Sequence, residues 1–229
     1  LHKLDESLLS PLPPFSKLGK TQIRTILDQA TSRRIESGAA VFHEGALAER
    51  FFLLLDGTIR VVKTTADGEQ VTSIHIPAGQ LFGIAKALSR TTYPATARAA
   101  SEALALSWPT TLWDNFVTEY SGFATETYKT VGDRLGELNT RVIEMSTQHV
   151  EQRIARALLR LISQSGRQVE QGIEISFPIT RKDVSEMTGT TLQTVSRLLS
   201  SWEKNGLVTS KRKKIIICNP HQLAILGEA

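Results

Sequence analysis

The chain has 229 residues, enough for one large domain or two smaller ones, and its 41% hydrophobic and 22% charged content is that of an ordinary folded protein. No apolar run reaches the roughly 18 residues of a bilayer span, and a single cysteine, Cys218, excludes an internal disulfide framework and any four-cysteine metal or iron–sulfur site. The formal charge of +4 is uneven: residues 1–149 hold 15 Lys and Arg against 16 Asp and Glu, a net of −1, whereas residues 150–229 hold 12 against 7, a net of +5, which favours a polyanion partner for the last third.

The opening stretch LHKLDESLLSPLPP lacks the charged-then-apolar layout of a secretory signal, and its lack of an initiating Met fits a trimmed chain. With one cysteine, the reading is a reducing, cytosolic compartment and no membrane. From about Arg33 to Trp108 the runs FFLLLDG, TIRVVKT and VTSIHI are short, apolar or alternating, and bounded by turn residues. ADGEQ at 66–70 predicts a hairpin, because Asp-Gly takes the positive φ angles of tight turns. IPAGQLFG is a second turn cluster. The pattern predicts a small all-β barrel or roll.

After Asp114 the period changes to three and four. Tyr128, Val131, Leu135, Leu138, Val142 and Met145 form a heptad seam, roughly 27 Å long at 1.5 Å per residue. One reading is a parallel dimer helix; the other is a helix packed on its own β domain. Residues 150–164 continue as helix, SGRQVEQG reads as a loop, and IEISFPIT as a short strand ending at Pro178.

Thr180 then starts a helix with a capping box completed by Asp183. Gly189 makes a turn, and Thr191 caps a second helix. Leu192, Val195, Leu198, Leu199 and Trp202 are assigned to its buried face, and Gln193, Ser196, Arg197, Ser200 and Lys204 to its polar face. Two short helices around a glycine turn are the arrangement that lays a recognition helix in the major groove. Arg suits guanine O6 and N7, Gln suits adenine N6 and N7, and Ser serves either kind of base. LVTSKRKKIIICN reads as a hairpin wing with Lys211, Arg212 and Lys213 at a tip facing phosphates. Thr180, Arg181, Thr191 and Thr194 are further phosphate candidates.

Along nearly its whole length the sequence resembles the Crp/Fnr transcription regulators. ESGAAVFHEG, FFLLLDG and IPAGQLFG are similar to the family's effector domain, and ITRKDVSEMTGTTLQTVSRLLSSWEKNGLV to its DNA-binding domain. The resemblance implies an α+β fold: a double-stranded β-roll of the cyclic-nucleotide-binding kind over 1–120, a dimerisation helix and hinge over 121–149, and a winged helix–turn–helix over 150–229. It implies a homodimer on palindromic double-stranded DNA, with RNA polymerase as a further partner, in a bacterial cytoplasm. It places Thr180 and Arg181 on the phosphate backbone and makes Gln193, Ser196 and Arg197 the base readers. Fnr-like members usually carry Glu where this chain has Gln193.

The effector site departs from the family pattern. Ile84 stands near the place of the Glu used by cyclic-nucleotide binders, and Tyr93 and Pro94 occupy the slot of their Arg-Ser pair. Tyr brings no charge and Pro no backbone donor for a cyclic phosphate, which argues against cAMP. Lys86 and Arg98 are the remaining cationic candidates. The four-cysteine cluster of the family's oxygen sensor is impossible with Cys218 alone. YPATARA and SWPTTLW look like the NnrR-type branch, which responds to nitric oxide; some relatives are haem proteins, and a haem would need His43, His75 or His149 as ligand. The alternatives left open are a regulator that needs no effector and a ligand-binding subunit acting on a partner protein. No nucleophile–base pair, metal-ligand cluster or phosphate loop points to an enzyme.

Overall fold

The computed structural model describes residues 5–228; the first four residues of the opening stretch and Ala229 lie outside them. Packing divides the chain into two units. One comprises the chain up to Val62 together with Ile74–Gly136; the other comprises Lys63–Ser73 together with the chain from Glu137 onward.

The first α-helix, α1 (Lys20–Asp28), is followed by eight strands, of which the end of β4 and the start of β5 fall in the second unit: β1 (Thr31–Ile35), β2 (Ala40–Phe42), β3 (Arg50–Asp56), β4 (Thr58–Thr64), β5 (Gln70–Pro77), β6 (Leu81–Phe82), β7 (Thr96–Ala99) and β8 (Ala103–Pro109). Two four-stranded sheets result, ordered β1-β8-β3-β6 and β2-β7-β4-β5. The predicted hairpin is present: Thr65 N–H donates to Glu69 O at 2.8 Å, with Gly68 at φ +81°. FFLLL lies almost wholly buried in β3, because both of its faces are covered. Its Phe51 meets Trp108 and the edge of Trp113 at ring separations of 5.4 and 5.0 Å. The Trp108 indole donates to Ile26 O at 2.8 Å and so fastens α1 to this core.

Helices α2 (Trp113–Glu119) and α3 (Ser121–Thr147) follow. The first half of α3 packs on its own β domain. Phe123 and Thr127 are fully buried within the first unit, and Val131 packs against the same aromatic core. Arg134 donates to Leu81 O at 2.6 Å, tying the helix to β6. Along the remaining seam Tyr128, Leu135, Leu138, Val142 and Met145 stand exposed, Leu135 at 67% and Val142 at 62%. Val131 therefore parts from the other five seam residues, because the roll of its own unit covers it.

The second unit holds α4 (Val150–Ser165), β9 (Gly166–Val169), β10 (Gly172–Ile175), α5 (Arg181–Thr188), α6 (Leu192–Lys204), β11 (Val208–Lys211), β12 (Lys214–Ile217) and α7 (Pro220–Glu228). Gln148 and His149 separate α3 from α4. The segment expected as a loop supplies a strand: Gly166–Val169 pairs antiparallel with β10 at the edge of a sheet ordered β11-β12-β10-β9. The last turns of α3 are held here as well. Glu144, nearly buried, takes both carboxylate oxygens to Arg160 at 2.7 and 2.9 Å.

Candidate nucleic-acid interface

Helix α5 starts as its sequence dictates. Thr180 Oγ1 accepts from Asp183 N–H at 3.1 Å, and Asp183 Oδ2 accepts from Thr180 N–H at 2.7 Å. Its end is set by Gly189, whose φ of +60° is the left-handed turn that glycine adopts without strain. Thr191 caps α6 by accepting from Thr194 N–H at 3.1 Å, and the two threonine hydroxyls lie 3.0 Å apart. These hydroxyls hold the helix end before any DNA is met.

Val195, Leu198, Leu199 and Trp202 bury one stripe of α6. The Trp202 indole donates to Glu151 Oε1 at 3.0 Å, which locks α6 against α4. Arg153 Nε donates to Thr188 O at 3.1 Å, so α4 also holds the end of α5. The opposite face presents Gln193 and Arg197 to solvent, with Ser196 half-buried between them. These three predicted readers are therefore on one face, fixed from behind by two helices.

Leu192 is not part of the buried stripe to which its spacing assigned it. It is 48% exposed, whereas Val195 is fully buried. Helical side chains lean toward the N-terminus, and at the first position of α6 no earlier turn lies beneath the leucine.

Arg181, expected on the phosphate backbone, also meets groups of its own unit. Its guanidinium faces Ser196 O, Ser200 Oγ and Ser210 Oγ at 3.3–3.4 Å and Glu203 Oε2 at 3.3 Å. It is a clamp joining α5, α6 and β11, and its donors already have partners inside the protein. Glu203, which the sequence reading passed over, is the centre of this clamp: Oε1 accepts from the Ser210 N–H at 2.6 Å and orients the wing. The capping-box logic that found Asp183 could not find it, because its partners lie in the next element.

The wing is the expected hairpin. Lys211 pairs with Lys214, and Arg212 and Lys213 form the tip with φ of +37° and +66°. Lys211, Arg212 and Lys213 are all exposed. Below them, Glu174 on β10 bonds Arg167 at 3.0 Å and lies 3.3 Å from Lys214. The Arg167 hydrogen bond, then that of Lys214, holds its carboxyl below the ordinary value of 4.5 against the opposing effect of burial.

In the roll, the effector candidates are not gathered into a cationic pocket. Tyr93 is buried and stacked on Phe42, with ring centroids 3.7 Å apart, and its hydroxyl donates to Arg50 O at 2.7 Å. Burial raises this phenol above its usual pKa. Phe52 and Phe82 extend the stack. A Cβ on Gly83 would meet Phe52 at 2.8 Å and Phe42 at 3.0 Å, so the turn fits tightly over the rings. Ile84 is buried in the neighbouring core, and Pro94 is half-buried. Lys86 pairs with Asp114 at 3.3 Å, and Arg98 donates to Gly38 O at 2.6 Å.

The three histidines named as haem-ligand candidates differ in burial. His43 is exposed after β2, and His149 is exposed at the start of α4. His75 is enclosed in β5 between Ile74 and Ile76. Among the described residues no cluster of three or more His, Cys, Asp or Glu is placed to hold a metal ion.

A β-roll followed by a winged helix–turn–helix defines the class: a DNA-binding transcription regulator with a cyclic-nucleotide-binding-type domain. Residues 32–120 match the family described as "Cyclic nucleotide-binding domain", and residues 152–226 match "Crp-like helix-turn-helix domain". The chain belongs to the Crp/Fnr family of transcription regulators and is not an enzyme. It is 26% identical to "Electron transport regulator A" of Shewanella oneidensis over 204 residues, covering 88% of this chain and 81% of that protein. The "Fumarate and nitrate reduction regulatory protein" of Yersinia pestis matches with the same identity and coverage. Among solved structures, FixK2 from Bradyrhizobium japonicum superposes with a TM-score of 0.76 at 21% identity, over 87% of this chain and 98% of that one. No helix among the described residues is long and apolar enough to cross a membrane.

Proposed function

We propose that the protein acts as a homodimer on a palindromic duplex site and that its roll responds to a small uncharged effector rather than to cAMP. The observation that carries the DNA reading is α6: one face is locked by Trp202 and Val195, and the other presents Gln193, Ser196 and Arg197. Two such helices, one helical turn of DNA or about 34 Å apart, match two half-sites of opposite sense. The exposed stripe Tyr128, Leu135, Leu138, Val142 and Met145 supports a parallel α3 pair as the dimer interface, since an unpartnered apolar seam on a polar helix is costly in water. RNA polymerase is the expected partner of the DNA-bound dimer, in a bacterial cytoplasm.

The roll's interior supports the effector reading. A cyclic phosphate needs charge-assisted donors, and the residues here are stacked aromatic rings. Nitric oxide, toward which the likeness to the NnrR-type branch points, carries no charge that would call for such donors. The same stack also favours a second reading, a regulator that needs no effector. Selection of bound duplexes from a random pool, repeated with cAMP, nitric oxide, haem or no addition, tests both. The first reading expects an inverted repeat whose enrichment changes with nitric oxide and not with cAMP. Equal enrichment under all conditions supports the second, and the absence of an inverted repeat refutes the dimeric site.

A further inference from the structure

We infer that Leu192 is a fourth base reader and that it recognises the 5-methyl group of a thymine. This rests on the reading of α6 as the groove-entering helix. Leu192 is the first residue of α6, directly after the cap residue Thr191, at the end that enters a major groove first. The cap bonds between Thr191 and Thr194 keep this end helical, so the leucine is held in place. The hydrophobic stripe of the helix is complete without it: Val195, Leu198, Leu199 and Trp202 are buried, and Leu192 is not.

On a helix, residues four apart lie one above the other. Leu192 therefore shares a column with Ser196, and Gln193 shares the next with Arg197. An apolar side chain stands on the face that carries the hydrogen-bonding readers. Base edges in the major groove offer donors and acceptors with one exception, the thymine methyl. An isobutyl group gains by covering that methyl and loses by covering the amino group of cytosine, which it would strip of water without replacing the hydrogen bond. The geometry thus assigns a thymine next to the base met by Gln193.

The test uses the full chain and a duplex enriched by it from a random pool. Each thymine of the half-site is replaced in turn by deoxyuridine, which removes the methyl and keeps the pairing edge. One replacement should weaken wild-type binding about fourfold per half-site, equivalent to ~0.8 kcal/mol for a group of that size. Leu192→Ala should be insensitive to that same replacement, and Leu192→Met should keep part of the sensitivity. Thermal melting of both variants should stay at the wild-type value, because the side chain is exposed. Wild type indifferent to every deoxyuridine, or wild type and Leu192→Ala losing equally, overturns the inference. Arg197→Ala separates this failure from a broader one. If it relaxes a base preference while deoxyuridine is neutral, only the leucine assignment falls. If it leaves the preference intact, or no sequence is enriched, α6 is not the reader and both fall.

Discussion

Arg197→Ala separates reading from folding. The Arg197 side chain is exposed and has no hydrogen-bond or ion-pair partner among the described residues. Its removal should therefore change stability by no more than about 0.5 kcal/mol, a shift of roughly 1–2 °C in Tm for a chain of this length. Binding should respond differently. A bidentate arginine–guanine contact contributes about 1–3 kcal/mol of discrimination, or roughly 5- to 150-fold per half-site. Fluorescence anisotropy with three duplexes measures it: the selected site, the same site with one G·C pair changed in each half, and a scrambled sequence. Wild type should prefer the first over the second by that factor; the variant should hardly distinguish them. Binding to the scrambled duplex should fall only by the loss of one charge. Equal losses on selected and scrambled DNA, or unchanged discrimination in the variant, would refute the assignment of Arg197 as a reader.

Arg181→Ala should show the opposite profile, losing on the order of 1–3 kcal/mol of stability through the broken clamp to Glu203, Ser196 and Ser210, measured by urea melts. Lys213→Gly removes a wing charge at a left-handed position, so stability should hold or rise by up to about 1 kcal/mol. Its binding to all sequences should weaken alike, with the salt slope reduced by about 0.9 per site. Gly132→Ala and Gly136→Ala meet nothing within 4 Å in the protomer. Each should raise helix stability by about 1 kcal/mol, and a loss of dimer in sedimentation would show that a partner backbone lies there. The lowered Glu174 carboxyl contributes stability that is present above 4.5 and is lost as pH falls through its lower folded value. Glu174→Gln should flatten that acid limb in pH-dependent melts.

Much of the architecture follows from local chemistry that a sequence displays. Thr180 with Asp183, Gly189 and Thr191 fix α5, the turn and α6 within a few residues, so they were readable. The features that were not readable depend on neighbours distant in the chain. Val131 has the spacing of the seam, yet the roll covers it. Gly166–Val169 carries the polar residues of a loop and becomes a strand because β10 offers it a free edge. Arg181 matches a phosphate-contacting position, and its bonds to Glu203 and Ser210 were visible only in the fold. Leu192 has the right period and the wrong height: one turn further along α6 it would be core. In the roll, the substitutions at Tyr93 and Pro94 were plain, whereas the stack of Phe42, Phe52 and Phe82 that continues from Tyr93 required the fold.

Met145 is the last residue of the exposed seam on α3, and its methyl group lies 3.1 Å from where Gly189 would carry a Cβ. The turn between α5 and α6 thus rests on the tip of a methionine. The residue just before it is Glu144, which holds Arg160 and Arg156. The methionine side chain is flexible and polarisable, a soft bearing rather than a rigid peg. That methyl group therefore stands directly against the turn on which α6 begins. A side chain at 189 would have to push that methyl group aside by a few tenths of an ångström and would also meet the strain of a φ of +60°.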